Sequence, residues 1–185
     1  MCGICGYIST GESLSGEDLL RMNNSLTHRG PDAGEIWKDE VAGLGNRRLK
    51  ILDLSDAGNQ PMISANGRYV MVYNGEVYNY LELADELYRD HGVTFCSSSD
   101  SEVVLEAYSK WGKESFSRFN GMFAIAIYDK KEKKLCLVRD QNGIKPLYYF
   151  YDTSGKFAFA SEINAFHQVP SIPKEINRAV IPAFL

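Results

Sequence analysis

Two cysteines open the chain in "MCGICG", at positions 2 and 5. A C-x-x-C pair suggests redox or metal chemistry, but each version needs company. A thioredoxin-type pair follows a strand and opens a helix, whereas only Met1 precedes Cys2. A zinc site takes about four ligands, with a second close pair; Cys96, Cys136, His28, His91 and His167 are scattered. If Gly3–Ser9 is a strand, residues three apart point to opposite faces, and Cys2 and Cys5 do not meet. Cys5 then reads as a small buried apolar side chain. Cys2 differs by position. Loss of Met1 would put a thiol and a free α-amino group on one residue. An amine with a pKa near ~7.7–8.0 suits a general base at neutral pH, and a nucleophile that carries its own base is a known route to activation.

Position alone is weak, so the rest of an amide-cleaving site must be found. A tetrahedral intermediate needs oxyanion donors, often a backbone N–H beside an Asn or Gln amide. "YNGE" (Tyr73–Glu76) offers Asn74 and the N–H of Gly75. The competing reading is an Asn-Gly hairpin turn, which the helical look of the following residues weakens. An amino-acid substrate needs a fork for its carboxylate, and Arg fits that geometry. "NRRLKIL" (Asn46–Leu52) places Arg47 and Arg48 in an apolar strand, where one points inward or into a cleft; an edge-strand charge is the plainer reading. "SSSDSE" puts Asp100 in the first turn of a helix, where acids are also favoured by the dipole alone.

The elements that would position these residues read as follows. A strand spans Gly3–Ser9. Ser15 with Asp18 caps a helix running to about Thr27. "HRGPDAG" is a loop, since Pro and Gly break periodicity. Strands follow near Glu35–Lys38 and Val41–Leu52, then a loop at "SDAGNQP" and a strand at Arg68–Tyr73. Asn79 caps a helix that stops at Gly92. A short strand at "VTFC" leads to a helix with Ser99 and Glu102 as a capping box, ended by Gly112. Met122–Asp129 with Leu135–Arg139, and Leu147–Asp152 with Lys156–Ser161, read as hairpins; a helix begins near Glu162. Strands and helices come in blocks, which favours mixed antiparallel α+β over a doubly wound sheet.

The bulk numbers are those of one large domain: 185 residues, 44% hydrophobic, net charge −4. That balance gives no basis for a nucleic-acid or anionic-membrane surface. Apolar runs such as Met122–Tyr128 fall far short of the ~20 residues a span needs, and no basic and apolar leader opens the chain. A cytoplasmic protein with reduced cysteines is expected.

Together "MCGICG", "HRGPD", "RRLKILD", "NQPM", "YNGEVYN", "SDSEVVL", "NGMFAIAIYD" and "RDQNGIKPLYY" resemble, in order, the glutaminase domain of the asparagine-synthetase type of class II glutamine amidotransferases. The resemblance covers Cys2 to about His167. It implies an N-terminal-nucleophile hydrolase fold: a four-layer αββα sandwich, two antiparallel sheets with helices outside. It implies hydrolysis of the L-glutamine side-chain amide through a Cys2 γ-glutamyl thioester, with Asn74 and Gly75 holding the oxyanion. Arg48 would hold the substrate carboxylate, Asp100 and Glu76 its ammonium group. The backbone of Leu49, Lys50, Ile51 and Leu52 would line the pocket, while Arg29 and Asp32 order the site. The family often has His two residues before the pocket Arg, where this chain has Asn46; Cys5 stands where a larger or plainly apolar residue is usual.

On this resemblance residues 2–168 form the glutaminase domain, and 169–185 begin a linker to a synthetase domain that receives the ammonia. The S-G-G-x-D-S loop of that domain is not in this chain. ATP and Mg would belong there, with no cofactor or metal in this domain, and the acceptor by default would be aspartate. No nucleic acid or membrane partner is implied; a homodimer is admitted. A protein that keeps Met1 should be inactive. The alternative from another class is a catalytically silent domain of the same fold, kept for docking or regulation.

Overall fold

The computed structural model describes residues 1–9, 14–153, 155–175, 178 and 182. In chain order the elements are β1 (Gly3–Ser9), α1 (Gly16–Ser25), β2 (Ala33–Lys38), β3 (Ala42–Arg48), β4 (Met62–Ile63), β5 (Tyr69–Val77), α2 (Tyr80–His91), α3 (Asp100–Trp111), β6 (Gly121–Asp129), β7 (Lys134–Arg139), β8 (Tyr148–Tyr151), β9 (Lys156–Ala160) and α4 (Ile163–Phe166). Short 3-10 turns sit at Asp56–Gly58 and Gly112–Arg118.

The strands form two sheets, of order β2-β3-β1-β9-β8 and β4-β5-β6-β7, antiparallel at every pairing. Period-two alternation in the central strands creates three apolar layers. Ile4, Leu44, Val70, Val72, Ala124, Ala126, Tyr128 and Phe159 meet between the sheets. Cys5 and Tyr7 face the other way, onto Leu19, Met22 and Leu26 of α1 and its flank and Ala165 and Phe166 of α4. Met71, Tyr73, Ile125 and Ile127 pack outward against Leu83, Leu87, Val103, Val104 and Leu105 of α2 and α3. The result is the expected αββα sandwich. Val169 and Ile172 are also buried against the α1 layer, so the packed body continues to Ile172.

Several local signals are realised. Ser15 and Asp18 form a reciprocal capping box, and Gly92 closes α2 at φ 64°, the left-handed conformation glycine adopts without strain. Four expectations are corrected. "VTFC" forms no strand. Ser99 does cap α3 by accepting from Ser101 N–H, but Glu102 does not complete a box; its carboxylate accepts from the N–H groups of Cys96 and Ser97 and orders that loop instead. Leu49–Leu52 leave the β3 ladder, and β5 runs on through Asn74 and Gly75 to Val77, which removes the hairpin-turn reading.

Candidate active site

The odd and even residues of β1 serve different layers, and Ile4 lies between the sheets while Cys5 lies under α1. Alternation puts Cys2 on the Ile4 side. Burial pushes the Cys5 thiol up to about 12, and Cys2 and Cys5 are both free cysteines on opposite sides of the strand. Among the described residues no cluster of His, Cys, Asp and Glu is placed to hold a metal ion. The Cys2 sulfur sits beside the chain just after β3, where Leu49 N–H approaches Sγ at 3.4 Å. Arg29 Nε donates to the Cys2 carbonyl at 3.1 Å, and its Nη1 is anchored on Glu162 at 2.8 Å. Asp32 accepts from Lys50 N–H at 2.9 Å. Both residues of "HRGPD" therefore order the backbone around Cys2.

The other wall is built by β5. Backbone N–H groups along a strand alternate edges. Tyr73 N–H goes to Gln60 Oε1 at 2.6 Å and Val77 N–H to Asp100 Oδ2 at 2.9 Å, both away from β6. Gly75 lies between them on that edge. Its partner in β6, Phe123, directs its own N–H and C=O to Asp140, so Gly75 occupies a position outside the ladder's hydrogen bonds. Among the described residues the Gly75 N–H has no acceptor. The adjacent Asn74 is 1% exposed, and its Nδ2 is buried without a partner. Two neighbouring N–H donors are thus unspent. A Cβ on Gly75 would lie 2.5 Å from Met122 O, which explains glycine there.

Arg48 closes the cleft from β3. Of the five N–H donors of an Arg, Nη1 supplies two, to Ser55 O at 2.7 Å and Asn59 Oδ1 at 2.8 Å, and Nη2 supplies one to Asp53 O. Nε–H and one Nη2–H remain, a pair suited to a carboxylate. A Cβ on Gly58 would strike Arg48 Nη2, so the 3-10 turn carries glycine where the guanidinium passes. Arg47 turns away, to Asn23 and Asn24. Asn46 bonds Gln60 rather than Arg48, at 3.3 Å. Lys50 does not line the cleft as expected: its Nζ donates to Asp56 at 3.0 Å and its N–H is spent on Asp32.

Asp100 is the first residue of α3, and its Oδ2 accepts from Tyr73 OH at 2.7 Å and Val77 N–H at 2.9 Å. Burial raises its carboxyl above the usual range, and the nearby Glu76 adds to this against those hydrogen bonds. None of the ion pairs of the described residues uses Arg48, Glu76 or Asp100. Cys2, Arg48, Leu49, Ile51, Leu52, Gly75, Glu76 and Asp100 line one cleft of about 430 Å³, mouth included. Asn74 adjoins it through Gly75. Of the expected site, Asn74, Lys50 and the two ordering residues Arg29 and Asp32 do not line the opening themselves.

A carboxyl raised in the folded state costs stability once it ionises, and that cost vanishes below its unfolded pKa. Asp100→Asn keeps an acceptor for Tyr73 and Val77 and removes the charge. We expect a higher Tm at neutral pH, an advantage that fades as pH falls through the raised Asp100 pKa, checked by melting curves from neutral to acid. The same variant should raise the KM for an α-amino substrate about tenfold.

Three residues beside the cleft escaped the sequence reading. Gln60 joins Tyr73 and Asn46, Tyr73 holds Asp100, and Asp53 bridges two loops. Each lies in a segment already singled out, Asp53 in "RRLKILD", Gln60 in "NQPM" and Tyr73 in "YNGE", but no role was legible for it there.

The sandwich, with a cysteine at the head of β1 facing the end of β5, defines an N-terminal-nucleophile hydrolase fold. Its architecture matches that of the glutamine phosphoribosylpyrophosphate amidotransferase of Bacillus subtilis with a TM-score of 0.74 over 90% of this chain and 43% of that one, at 22% identity. A family model for the glutamine amidotransferase domain matches residues 1–185, and the chain belongs to that family. It is 38% identical to a putative glutamine-hydrolysing asparagine synthetase 2 of Methanocaldococcus jannaschii, over 96% of this chain and 37% of the relative. It is 40% identical to glutamine-hydrolysing asparagine synthetase 1 of Bacillus subtilis, over 88% and 26%, and 37% identical to asparagine synthetase B of Escherichia coli, over 95% and 31%. The chain spans between about a quarter and two fifths of the length of these relatives.

Proposed function

We propose that Cys2, freed of Met1, is the nucleophile that hydrolyses L-glutamine. The α-amine takes the thiol proton, and the thiolate attacks the side-chain amide carbon. The oxyanion is held by Asn74 Nδ2 and Gly75 N–H. Collapse expels ammonia, which takes the proton from the α-ammonium, and leaves a γ-glutamyl thioester. The amine then deprotonates a water that attacks the thioester carbon, and glutamate leaves as Cys2 regains its proton. Arg48 holds the α-carboxylate through Nε and Nη2, and Asp100 with Glu76 holds the α-ammonium. Leu49 N–H, near Sγ, supports the thiolate. The observation that carries this reading is the pair of unspent donors on β5, at the end of the sandwich where Cys2 lies.

In this reading the ammonia passes to a synthetase domain that uses ATP and Mg to amidate aspartate, in the cytoplasm, and 169–185 leads toward that domain. This is supported by the named relatives being glutamine-hydrolysing asparagine synthetases longer than the chain.

The test is an intact mass after exposure to 6-diazo-5-oxo-L-norleucine, an electrophile shaped like glutamine. Loss of Met1 with one adduct on Cys2 supports nucleophile and pocket together. Loss of Met1 without an adduct favours the silent docking domain and overturns the proposal.

A further inference from the structure

Asp53 lies in the segment between β3 and β4 and is 7% exposed. Its Oδ1 accepts from Ser55 N–H at 2.7 Å and Ser55 Oγ at 2.6 Å. Its Oδ2 accepts from Ser98 N–H at 2.9 Å and Ser98 Oγ at 3.3 Å. Its backbone carbonyl accepts from Arg48 Nη2. One residue thus touches both halves of the cleft. Through its carbonyl, and through Ser55, whose carbonyl takes Arg48 Nη1, it fixes the guanidinium. Through Ser98 it fixes the loop that leads into Asp100.

A second tie joins the β3–β4 segment to the head of α3, where Gln60 Nε2 donates to Ser101 Oγ at 3.5 Å. Residues 49–55 and 93–99 pair with no strand, and among the described residues the bonds from Ser98 to Asp53 are the only hydrogen bonds between residues 49–59 and 93–99. The carboxylate is not free to meet a ligand itself. A carboxylate has about four acceptor sites, and four donors already occupy them. The donors, Ser55 Oγ–H foremost, hold it down to about 2, so it is an anion throughout the neutral range and the bridge does not open there.

We propose that Asp53 is a positioning residue for the amino-acid head group: it sets the separation of Arg48 and Asp100, and through that separation the preference for the L-enantiomer of glutamine. The inference rests on the glutamine reading above. A chiral α-carbon is told from its mirror image when carboxylate, ammonium and side chain are each held in a set place. Cys2 with the β5 donors takes the side-chain amide, Arg48 the carboxylate, and Asp100 the ammonium. If the last two drift relative to each other, the mirror image can be accommodated.

Asp53→Asn is the main variant, because an amide presents an acceptor to one serine and hydrogens to the other. Ser98→Ala removes only the longest of the four bonds. Both are assayed for ammonia release in the full chain with Met1 removed, using L-glutamine, D-glutamine and 4-carbamoylbutanoate, which lacks the α-amine. Asp53→Asn is expected to raise the KM for L-glutamine about tenfold and to lower the L-to-D ratio of kcat/KM by a similar factor. The penalty for lacking the α-amine should shrink in parallel. Ser98→Ala should shift both quantities the same way by about twofold to threefold, and add nothing in the Asp53→Asn background.

A higher KM with an unchanged L-to-D ratio would mean Asp53 only supports the fold, and overturns the proposal while glutamine hydrolysis stands. If Asp53→Asn does not fold, Ser98→Ala decides alone, and an unchanged ratio there overturns it equally. A wild-type chain that neither turns over L-glutamine nor takes the diazo adduct overturns the glutamine reading, and this inference with it.

Discussion

Cys2→Ala is expected to end ammonia release from glutamine, a fall of about 10⁴–10⁶-fold in kcat. No other thiol can substitute. Cys5 faces the α1 layer with its thiol held up to about 12 by burial, and Cys96 and Cys136 do not line the cleft. The chain with Met1 attached should be as silent, although its sulfur is intact. The Cys2 nitrogen is then an amide, which neither takes the thiol proton nor returns it to the leaving ammonia. Met1 is 56% exposed, so an aminopeptidase can reach it. A glutamate-release assay on mass-verified samples, before and after methionine removal, checks both halves. Turnover by a sample that keeps Met1 would overturn the role of the α-amine, and turnover by Cys2→Ala would overturn the nucleophile.

The fold was readable where a local signal and a tertiary partner agreed. The Ser15 box and the Gly92 stop needed nothing beyond their own turns. The sequence signal ends β5 too early because Asn and Gly are poor strand formers, yet pairing of Asn74 with Ala124 and Val77 with Gly121 extends it. "VTFC" failed in the opposite sense: its composition suits a strand, but no neighbouring strand is there to pair with it. Glu102 matched a capping box by spacing, and the loop before the helix competed for its carboxylate and won.

The site divides along the same line. Cys2, Asn74 and Gly75 were legible because their chemistry depends on position and on a dipeptide. Arg48 could not be told from Arg47 by spacing alone; the choice depends on which side chain meets the Ser55–Asn59 turn. Asp53, Gln60 and Tyr73 were not legible, since each acts through a partner far along the chain. An Asp in a loop looks like any turn former until Ser98 is seen across from it.

Asn74→Ala gives the second large effect. Removing one preorganised oxyanion donor costs about 10²–10³ in kcat, and Asn74 Nδ2 is one of the two donors available. A buried donor without a partner is itself a liability of about 1–3 kcal/mol in the resting protein. Alanine removes that liability, so the loss of activity is expected without a fall in Tm. The KM for glutamine should change little, because the ground-state carbonyl makes a weaker demand on the donor than the developing oxyanion. This combination separates transition-state stabilisation from a role in architecture. A structural Asn would lower Tm and kcat together, and a ground-state binding Asn would raise KM. Steady-state kinetics with a melting curve on one preparation distinguish the three, and a kcat within about threefold of wild type would remove Asn74 from the oxyanion site. Gly75 N–H would then stand alone as the donor on β5, at the edge position between Tyr73 and Val77 where its neighbours' N–H groups are already committed.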